Sequence, residues 1–307
     1  MPRKIDQRIL QEPVLRHFLE VVQTGSVTAA AERLHVAPSA VSRSIARLEQ
    51  SLDTLLFERR ARGMRLNSAG ELLAVHAKRA WQDVERVAAE IESLRGLRTG
   101  TVRLASTDGF ASEFLPALVA EFQREYRGIR FQLDVRLQAE IPQALRHGDV
   151  DIGITFGMSS ERDIDVALRH PAPILAMMAP DHALASRRQL ALSQVVAHPL
   201  ALPPPHSTLR QLLEISCARQ GLKVDAVLET NRLEPIVAFV SAGGGLSLCG
   251  EAAIRSRLKA GTLVAVPLRD REMNERHFEV QTLAGRTLPA AAQAFLDHLR
   301  GVLERDW

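Results

Sequence analysis

Apolar residues recur at helical spacing in the first part of the chain, between Val14 and Leu52. Breaks at Thr24-Gly25-Ser26 and between His35 and Pro38 divide this stretch into three short helices with tight connections. The following segment, residues 55–66, has two short extended pieces around a basic tip that contains a glycine. The pattern therefore predicts three helices followed by a hairpin.

A long proline-free segment comes next and ends near Leu97. Ser68 and Glu71 form a capping-box signature at its start, and Asn67 is the competing cap. Its apolar residues are spaced alternately four and three positions apart, which is typical of a coiled-coil seam. We therefore expect self-association through this helix; the alternative is an ordinary helix that packs on its own domain. The seam residues are Leu73, Ala77, Ala80, Val84, Val87, Ile91 and Leu94.

Beyond Gly100 the strand and helix patterns alternate to the end of the chain, which predicts α/β units with largely parallel sheets. The segment is longer than one sheet of this kind usually requires, so we expect it to form two lobes. The predicted domains are 1–67, 68–98 and 99–307, with one lobe formed by 99–165 and 270–307 and the other by 166–269. The strand candidates are Thr101–Ser106, Ile129–Val135, Val150–Phe156, Ile174–Ala179, Leu200–Leu202, Ala226–Thr230, Leu246–Leu248, Leu263–Pro267 and His277–Ala284.

Composition narrows the class of protein. Of the 307 residues 46% are apolar, yet no run of 18 apolar residues occurs, and the first residues, MPRKIDQRILQEP, lack the apolar core of a signal peptide. We therefore expect a cytoplasmic protein with no membrane partner. Cys217 and Cys249 are interpreted as buried thiols, and no metal-ligand spacing is present. No catalytic motif is found, so no enzyme activity, cofactor or metal is expected.

Charge is distributed unevenly along the chain. Residues 1–100 hold 16 Lys and Arg against 12 Asp and Glu, which leaves 23 against 24 for the remainder. This asymmetry indicates that the amino-terminal part binds a polyanion and that the remainder of the chain has a different function.

The stretch GSVTAAAERLHVAPSAVSRSI, residues 25–45, has the anatomy of a helix-turn-helix. Small residues at 29–31 allow two helices to approach closely, and Val36 is expected to plug the turn. The predicted anchors of the second helix on the core are Val41, Ile45 and Leu48.

The polar face of that second helix carries no acid before Glu49, which suits a helix that enters the major groove. Ser39, Ser42 and Ser44 are short enough to permit close approach, and Arg43 can reach a guanine edge or a phosphate. The basic residues around Gly63 then form a predicted wing along the DNA backbone; a solvated basic hairpin is the alternative. The wing residues are Arg59, Arg60, Arg62 and Arg65.

Residues 14–73 resemble the winged helix-turn-helix of the LysR-type transcriptional regulators, through the motifs AVSRSIARLE, LFERRARG and NSAGELL. The resemblance implies an amino-terminal all-α winged helix-turn-helix and a long coiled-coil linker helix, followed by a two-lobed α/β effector domain like a periplasmic binding protein. Where many members carry Gln, Pro38 stands here, and we expect it to start the helix rather than read a base. Asp53 and Asn67 replace the usual Gly and Thr, as a turn residue and a cap. The family positions for DNA contact correspond to Pro38, Ser39, Ser42, Arg43 and Arg62.

Ligands of open α/β sheets bind beyond the carboxyl ends of the strands, where polar residues precede helices. Residues 106–109 follow the first strand, residues 206–208 precede a helix, and residues 230–231 follow the strand Ala226–Thr230; simple N-capping is the alternative at each of these three candidate sites. The resemblance implies a small-molecule effector, in that family often a carboxylate, bound between the lobes. Asp108 would disfavour an anion by about 1 kcal/mol unless it serves as a cap or meets an amino group. The implied effector residues are Ser106, Thr107, Gln138, Thr155, Phe156, Ser207, Thr208 and Asn231.

The leading hypothesis is a ligand-responsive, sequence-specific regulator of transcription. Two winged helix-turn-helix domains, or heads, held together by the coiled coil would bind an operator with an interrupted dyad. Closure of the effector cleft between the lobes would change the relative placement of the two heads. The resemblance suggests a homodimer that assembles into a homotetramer, with RNA polymerase as a partner of an activator. The rival is a small-molecule-binding protein or enzyme with an incidental helical domain.

Overall fold

The computed structural model describes residues 14–60, 63–93, 99–157 and 161–306, except for the side chains of residues 59, 60, 82, 83, 85–93 and 306. The described chain divides into two compact units near residue 91. Predictions that concern Arg62 and Leu94, and the side chains of Arg59, Arg60, Val87 and Ile91, lie outside the described part.

The first unit begins with the three predicted helices. They are α1 (Val14–Thr24), α2 (Val27–Leu34) and α3 (Pro38–Leu52). Ser26 caps α2 by accepting a hydrogen bond from the Ala29 amide, and Asp53 ends α3 in the left-handed conformation, with φ 50°. The hairpin that follows consists of β1 (Phe57–Arg60) and β2 (Gly63–Leu66), paired antiparallel.

The long helix α4 spans Ser68–Ser93. Asn67 caps this helix, because its side-chain oxygen accepts a hydrogen bond from the Gly70 amide at 2.9 Å. The helix therefore begins with the alternative cap, Asn67, and not with the predicted capping box of Ser68 and Glu71. Leu73 and Ala77 are buried in the core of the first unit, and their assignment to the self-association seam is therefore wrong. Further along, Trp81 and Val84 are 42% and 64% exposed.

The strands of the second unit are β3 (Gly100–Ser106), β4 (Ile129–Val135), β5 (Ile152–Phe156), β6 (Ile164–Pro171), β7 (Ile174–Met178), β8 (Ala201–Leu202), β9 (Leu228–Glu229), β10 (Ser247–Gly250), β11 (Val264–Pro267) and β12 (His277–Leu283). They include a five-stranded and a three-stranded sheet, in the orders β4-β3-β5-β12-β6 and β10-β7-β11. In these two sheets only the pairs β3-β4 and β3-β5 are parallel. Strand β12 is antiparallel to β5 and β6, and strand β7 is antiparallel to β10 and β11. The prediction of largely parallel sheets is therefore wrong.

Helices cover both sheets and form two cores. The core of the first lobe packs Phe122 and Phe295 against the larger sheet, and that of the second lobe surrounds Leu213 and Met273. The helices are α5 (Asp108–Ala111), α6 (Phe114–Glu125), α7 (Ile141–Arg146), α8 (Leu192–Val195), α9 (Thr208–Ala218), α10 (Leu233–Ser241), α11 (Arg255–Lys259), α12 (Arg271–Asn274) and α13 (Ala290–Asp306), with 3₁₀ turns at Gln138–Glu140 and Glu251–Ala253.

Both predicted boundaries between the lobes need correction. The boundary at 165 falls inside β6, a strand that was not predicted and that pairs with β12 along the edge of the first lobe's sheet. The boundary at 270 assigns α12 to the first lobe, yet Met273 of that helix is buried in the second lobe's core. The pairing of β6 and the burial of Met273 therefore place the crossovers near residues 172 and 275.

Candidate functional site

The outer face of α3 carries residues predicted to contact DNA. The helix begins at Pro38, as predicted. Its inner face contacts α1 and α2 through the buried Val41, Ile45 and Leu48. The predicted contact residues Pro38, Ser39, Ser42 and Arg43 are all exposed on the opposite face, which continues through Ala46, Arg47 and Gln50. Periodic burial thus leaves an exposed polar face without an acid, of the kind that a groove accommodates.

Two predictions about this region are wrong. Ser44 does not belong to the outer face, because its hydroxyl lies 2.7 Å from His17 Nδ1 of α1. Val36 does not plug the turn, since its side chain is 38% exposed. Backbone geometry closes the turn instead: His35 adopts the left-handed conformation, and the Val36 amide donates to Ala31 O at 3.0 Å.

The wing is fixed to the helical core through its backbone. The Met64 amide donates to Gly25 O at 2.9 Å, and a Cβ at Gly63, where φ is +123°, would lie only 2.7 Å from that oxygen. Glu49, the first acid of α3, accepts from the Leu56 amide at 2.8 Å and so serves the fold rather than the DNA face. Arg65 is exposed on β2, beside the part of the wing tip that is not described.

Between the lobes, the structure brings together three of the predicted effector residues. Gln138 follows β4 and donates from Nε2 to Phe156 O, at the end of β5, at 2.7 Å. Thr208, the first residue of α9 in the second lobe, donates from its hydroxyl to Gln138 Oε1 at 2.5 Å. A continuous polar connection therefore runs across the cleft at the carboxyl ends of the strands.

The other predicted effector residues have mixed roles. The hydroxyl of Ser106 donates to Thr107 O at 3.2 Å, whereas Thr107 Oγ1 is buried and has no partner among the described residues. Ser207 caps α9 by accepting from the Arg210 amide at 3.3 Å, so the capping alternative holds there. Asn231 is exposed. Thr155 is buried next to Phe156 in β5, and consecutive strand residues point to opposite faces, so these two side chains do not converge.

Asp108 acts as a cap from across the cleft. Its Oδ2 accepts from the amide of Leu233, the first residue of α10, at 2.6 Å, and α10 has no side-chain cap of its own. Glu113 does the same for the first turn of α11, where its Oε2 accepts from the Ser256 amide at 2.7 Å. Both carboxylates are therefore directed at helix amino termini of the second lobe, which favour negative charge.

The sequence predictions missed Arg276, which lies in the crossover that returns from the second lobe. Its backbone oxygen accepts from the amide of Ala172, in the opposite crossover, at 2.7 Å. Its guanidinium lies 3.6 Å from the centroid of the Phe156 ring, and burial lowers its pKa to about 10. Among the described residues no carboxylate pairs with it. An unpaired, partly desolvated cation beside a predicted effector residue is a strong anion-binding group.

Among the described residues, no cluster of three or more His, Cys, Asp or Glu side chains is arranged to hold a metal ion. Across the same part of the chain, every helix is too short or too polar to cross a bilayer. Both cysteines are buried and unpaired, as predicted.

Solved structures show the same fold. A full-length OxyR variant from Pseudomonas aeruginosa has a TM-score of 0.71 at 22% identity, covering 94% of this chain and 93% of its own. Full-length CbnR, in a complex with its target DNA, has a TM-score of 0.64 at 17% identity and covers 94% and 98%.

Sequence comparisons give the family. The transcriptional dual regulator GltC of Bacillus subtilis is 30% identical over 238 residues, 77% of this chain and 79% of its own length. The RuBisCO operon transcriptional regulator of Allochromatium vinosum is 27% identical over 281 residues, 92% of each chain. Residues 14–71 match the bacterial regulatory helix-turn-helix of the lysR family, and residues 95–304 match the LysR substrate binding domain. The chain therefore belongs to the LysR family of bacterial transcriptional regulators, with an amino-terminal DNA-binding unit and a carboxy-terminal effector-binding unit, and it is a regulator rather than an enzyme.

Proposed function

We propose that this regulator responds to a small carboxylate bound between the two lobes of its second unit. The observation that carries the proposal is the Arg276 guanidinium, which lies over the Phe156 ring and has no carboxylate partner among the described residues. Gln138 and Thr208 lie at the same strand ends and supply polar groups from both lobes. An anion here would gain a charged partner from the crossover and a hydrogen bond from the second N–H of Gln138 Nε2, and the Thr208 hydroxyl would add another once it releases Gln138 Oε1.

Asp108 is compatible with an anionic effector. Its carboxylate is engaged by the Leu233 amide, at the positive end of α10, and the Arg232 guanidinium lies 3.9 Å from its other oxygen. Both neighbours offset its negative charge. The hydroxyl of Thr107, buried without a partner among the described residues, adds a donor next to Asp108.

The effector proposal is tested by comparing carboxylates with their carboxamides. We expect saturable thermal stabilisation of the full-length protein by at least one member of a panel of small aliphatic and aromatic carboxylates, and none by the matching amide. Arg276→Met should abolish this stabilisation, because it keeps the apolar stem but removes the charge. Equal stabilisation by acid and amide, or an unchanged response of the variant, would contradict the proposal.

We further propose that α3 reads the operator through Arg43, with Ser39 and Ser42 allowing close approach to the bases. All three are exposed on one helix face, and no acid lies among them. A bidentate contact between Arg43 and a guanine predicts that Arg43→Ala costs about 1–3 kcal/mol of specific binding, or roughly 5- to 150-fold in affinity.

The test of that contact uses a duplex selected from a random-sequence library by the wild-type protein. Arg43→Lys is the matched control, because it keeps the charge but not the planar fork. We expect Arg43→Ala and Arg43→Lys to lose specific affinity, while Arg43→Lys retains the salt dependence of wild-type binding. Wild-type affinity in both variants would overturn the assignment of α3 as the reading helix.

Self-association through α4 is the third element of the proposal. Val84 and Trp81 are exposed apolar residues of that helix, and Ala80 lies one turn before Val84. A symmetric dimer through this surface would present two heads to an interrupted palindrome, and a tetramer would pair two such dimers. Val84→Glu should shift the full-length protein toward monomer in sedimentation experiments, whereas an unchanged mass would refute this surface.

A further inference from the structure

Helix α5 of the first lobe lies directly against the second lobe. Its Phe110 is buried in the core of the first lobe, with its ring 5.1 Å from that of Phe278. Its Gly109 lies over a 3₁₀ turn of the second lobe, since a Cβ at this position would be 3.7 Å from the Ala253 Cβ. Ala252 packs with the core of the first lobe, and Ala253 packs with a core of the second. The two lobes are therefore in van der Waals contact at α5.

Two carboxylates reach across this contact, one at the start of α5 and one just after its end. Asp108 Oδ2 accepts from the Leu233 amide of α10 at 2.6 Å, and Glu113 Oε2 accepts from the Ser256 amide of α11 at 2.7 Å. The first amides of a helix have no partner within the helix, and the residue before each of these two helices supplies no side-chain cap. Each helix therefore takes a capping acceptor from the other lobe.

Arginines of the second lobe lie beside both carboxylates. Arg257 Nη1 is 3.0 Å from Glu113 Oε1, and Arg257 Nη2 donates to Glu234 of α10 at 2.9 Å. Arg232 Nη1 is 3.9 Å from Asp108 Oδ1. Only 13% of the Glu113 side chain is exposed, so solvent screens its ion pair less than it screens a surface pair. Separation of the lobes at α5 would break the two caps and both ion pairs together.

We propose that α5 and Glu113 form an interlobe latch that is closed in the regulator before any effector binds. The latch consists of Asp108, Gly109 and Glu113 with their contacts in the second lobe. Because these residues belong to one short segment, the contacts form and break as a unit. The lobes therefore stay together at α5, and an effector shifts them about this fixed contact through groups outside it, such as Gln138 and Thr208. This response differs from closure of an open cleft, and it does not depend on the chemistry of the effector.

The first test is hydrogen exchange of the full-length protein without ligand, measured at single-amide resolution. We expect the amides of Leu233 and Ser256 to exchange more slowly than in an unstructured peptide, by about a hundredfold or more, because exchange requires the latch to open. Peptide-like exchange rates at these two amides would overturn the proposal.

A variant shows whether the two caps act together. Asp108→Ala should accelerate exchange at Ser256 as well as at Leu233, by about tenfold or more, because loss of one carboxylate opens the whole latch. Ser112→Ala is the matched control, since its hydroxyl donates to Asp108 O at 2.9 Å and so belongs to the end of α5 rather than to the latch. The Arg210 amide, which is capped inside the second lobe, should keep its rate in both variants. Acceleration at Leu233 alone would reduce the latch to two separate caps and refute the proposal.

A cross-link tests the same contact without removing a charge, and it decides the matter even if Asp108→Ala fails to fold. The Cβ separation of 3.7 Å between positions 109 and 253 is within the range of disulfides. Gly109→Cys combined with Ala253→Cys should therefore form a disulfide readily in the ligand-free protein. Thiols that stay mostly reduced under an oxidant would show that the lobes separate here, against the proposal.

The effector arm of the test rests on the proposed function. Any carboxylate that stabilises the wild type should stabilise the cross-linked protein to the same extent, and a response lost only on cross-linking would refute the latch as a fixed contact. Hydrogen exchange and cross-linking use no effector, so failure of the carboxylate proposal is distinguishable from failure of the latch.

Discussion

Replacement of Arg276 by methionine is expected to stabilise the protein in the absence of ligand. The guanidinium is partly buried over the Phe156 ring, and no carboxylate pairs with it among the described residues. Methionine keeps an unbranched apolar side chain against the same ring but carries no charge. A binding group held ready for an anion costs folding free energy until the anion arrives.

The magnitude follows from the pKa. Burial lowers the pKa of Arg276 from the ordinary value of arginine to about 10, a difference that corresponds to about 3 kcal/mol against the charged folded form. The interaction with the aromatic ring is still lost in the variant, and it is worth about 0.5–2 kcal/mol. We therefore expect Arg276→Met to raise the free energy of unfolding by about 1–2.5 kcal/mol, or the melting temperature of the second unit by roughly 2–10 °C.

The direction of the pKa shift also fixes the pH dependence. Because the folded pKa is the lower one, the penalty is fully present at any pH below about 10 and is relieved only as the pH rises from there toward the pKa of an exposed arginine. Calorimetry of the wild type and the variant between about pH 6 and 8 should therefore show a constant difference. A lower melting temperature for Arg276→Met, or a difference that varies with pH in this range, would refute the assignment of Arg276 as an unpaired buried cation.

Three further substitutions or treatments test the packing around the sites. Asp53→Gly should stabilise the first unit by about 0.5–1 kcal/mol, because Asp53 is left-handed at φ 50°; calorimetry that shows a loss would contradict this. Asp108→Ala should cost about 1–2 kcal/mol by uncapping α10, whereas Asp108→Asn, which keeps an acceptor, should cost less in the same assay. Burial raises the pKa of Cys249 to about 12 and also raises that of Cys217, so both thiols should resist alkylation at about pH 8 until the protein is unfolded, and rapid native labelling of Cys249 would disagree.

The helix α3 could be predicted well because its signals are local. Helical periodicity alone divides α3 into a buried face with Val41 and an exposed face with Arg43, and Pro38 marks its start. The errors concern contacts between elements. Ser44 lies within one residue of the exposed face, and only the position of His17 on α1 shows that it belongs inside.

The sheets of the second unit were harder to predict. Strand β6 has a signal, since Ile164, Val166 and Leu168 alternate with other residues, but it lies next to an equally apolar segment that became β7. Alternation of strands with helices favours parallel pairing only on average, and it does not show which strands return antiparallel within a mixed sheet. The antiparallel return of β12 follows from the crossover at Arg276, which no local pattern marks.

The candidate effector residues separate into those the fold uses and those it leaves available. A polar residue at a helix start satisfies otherwise unpaired amides, and Ser207 and Asp108 are engaged in this way. Such a group can meet a ligand only if the helix gives up its cap. Thr107 has a buried hydroxyl without a partner in the described part of the chain. Arg276 has a partly buried charge, and no carboxylate in that part of the chain pairs with it. Selectivity for the effector should therefore depend on these two residues more than on the capping ones, although only the capping positions carry a sequence signature of a helix start.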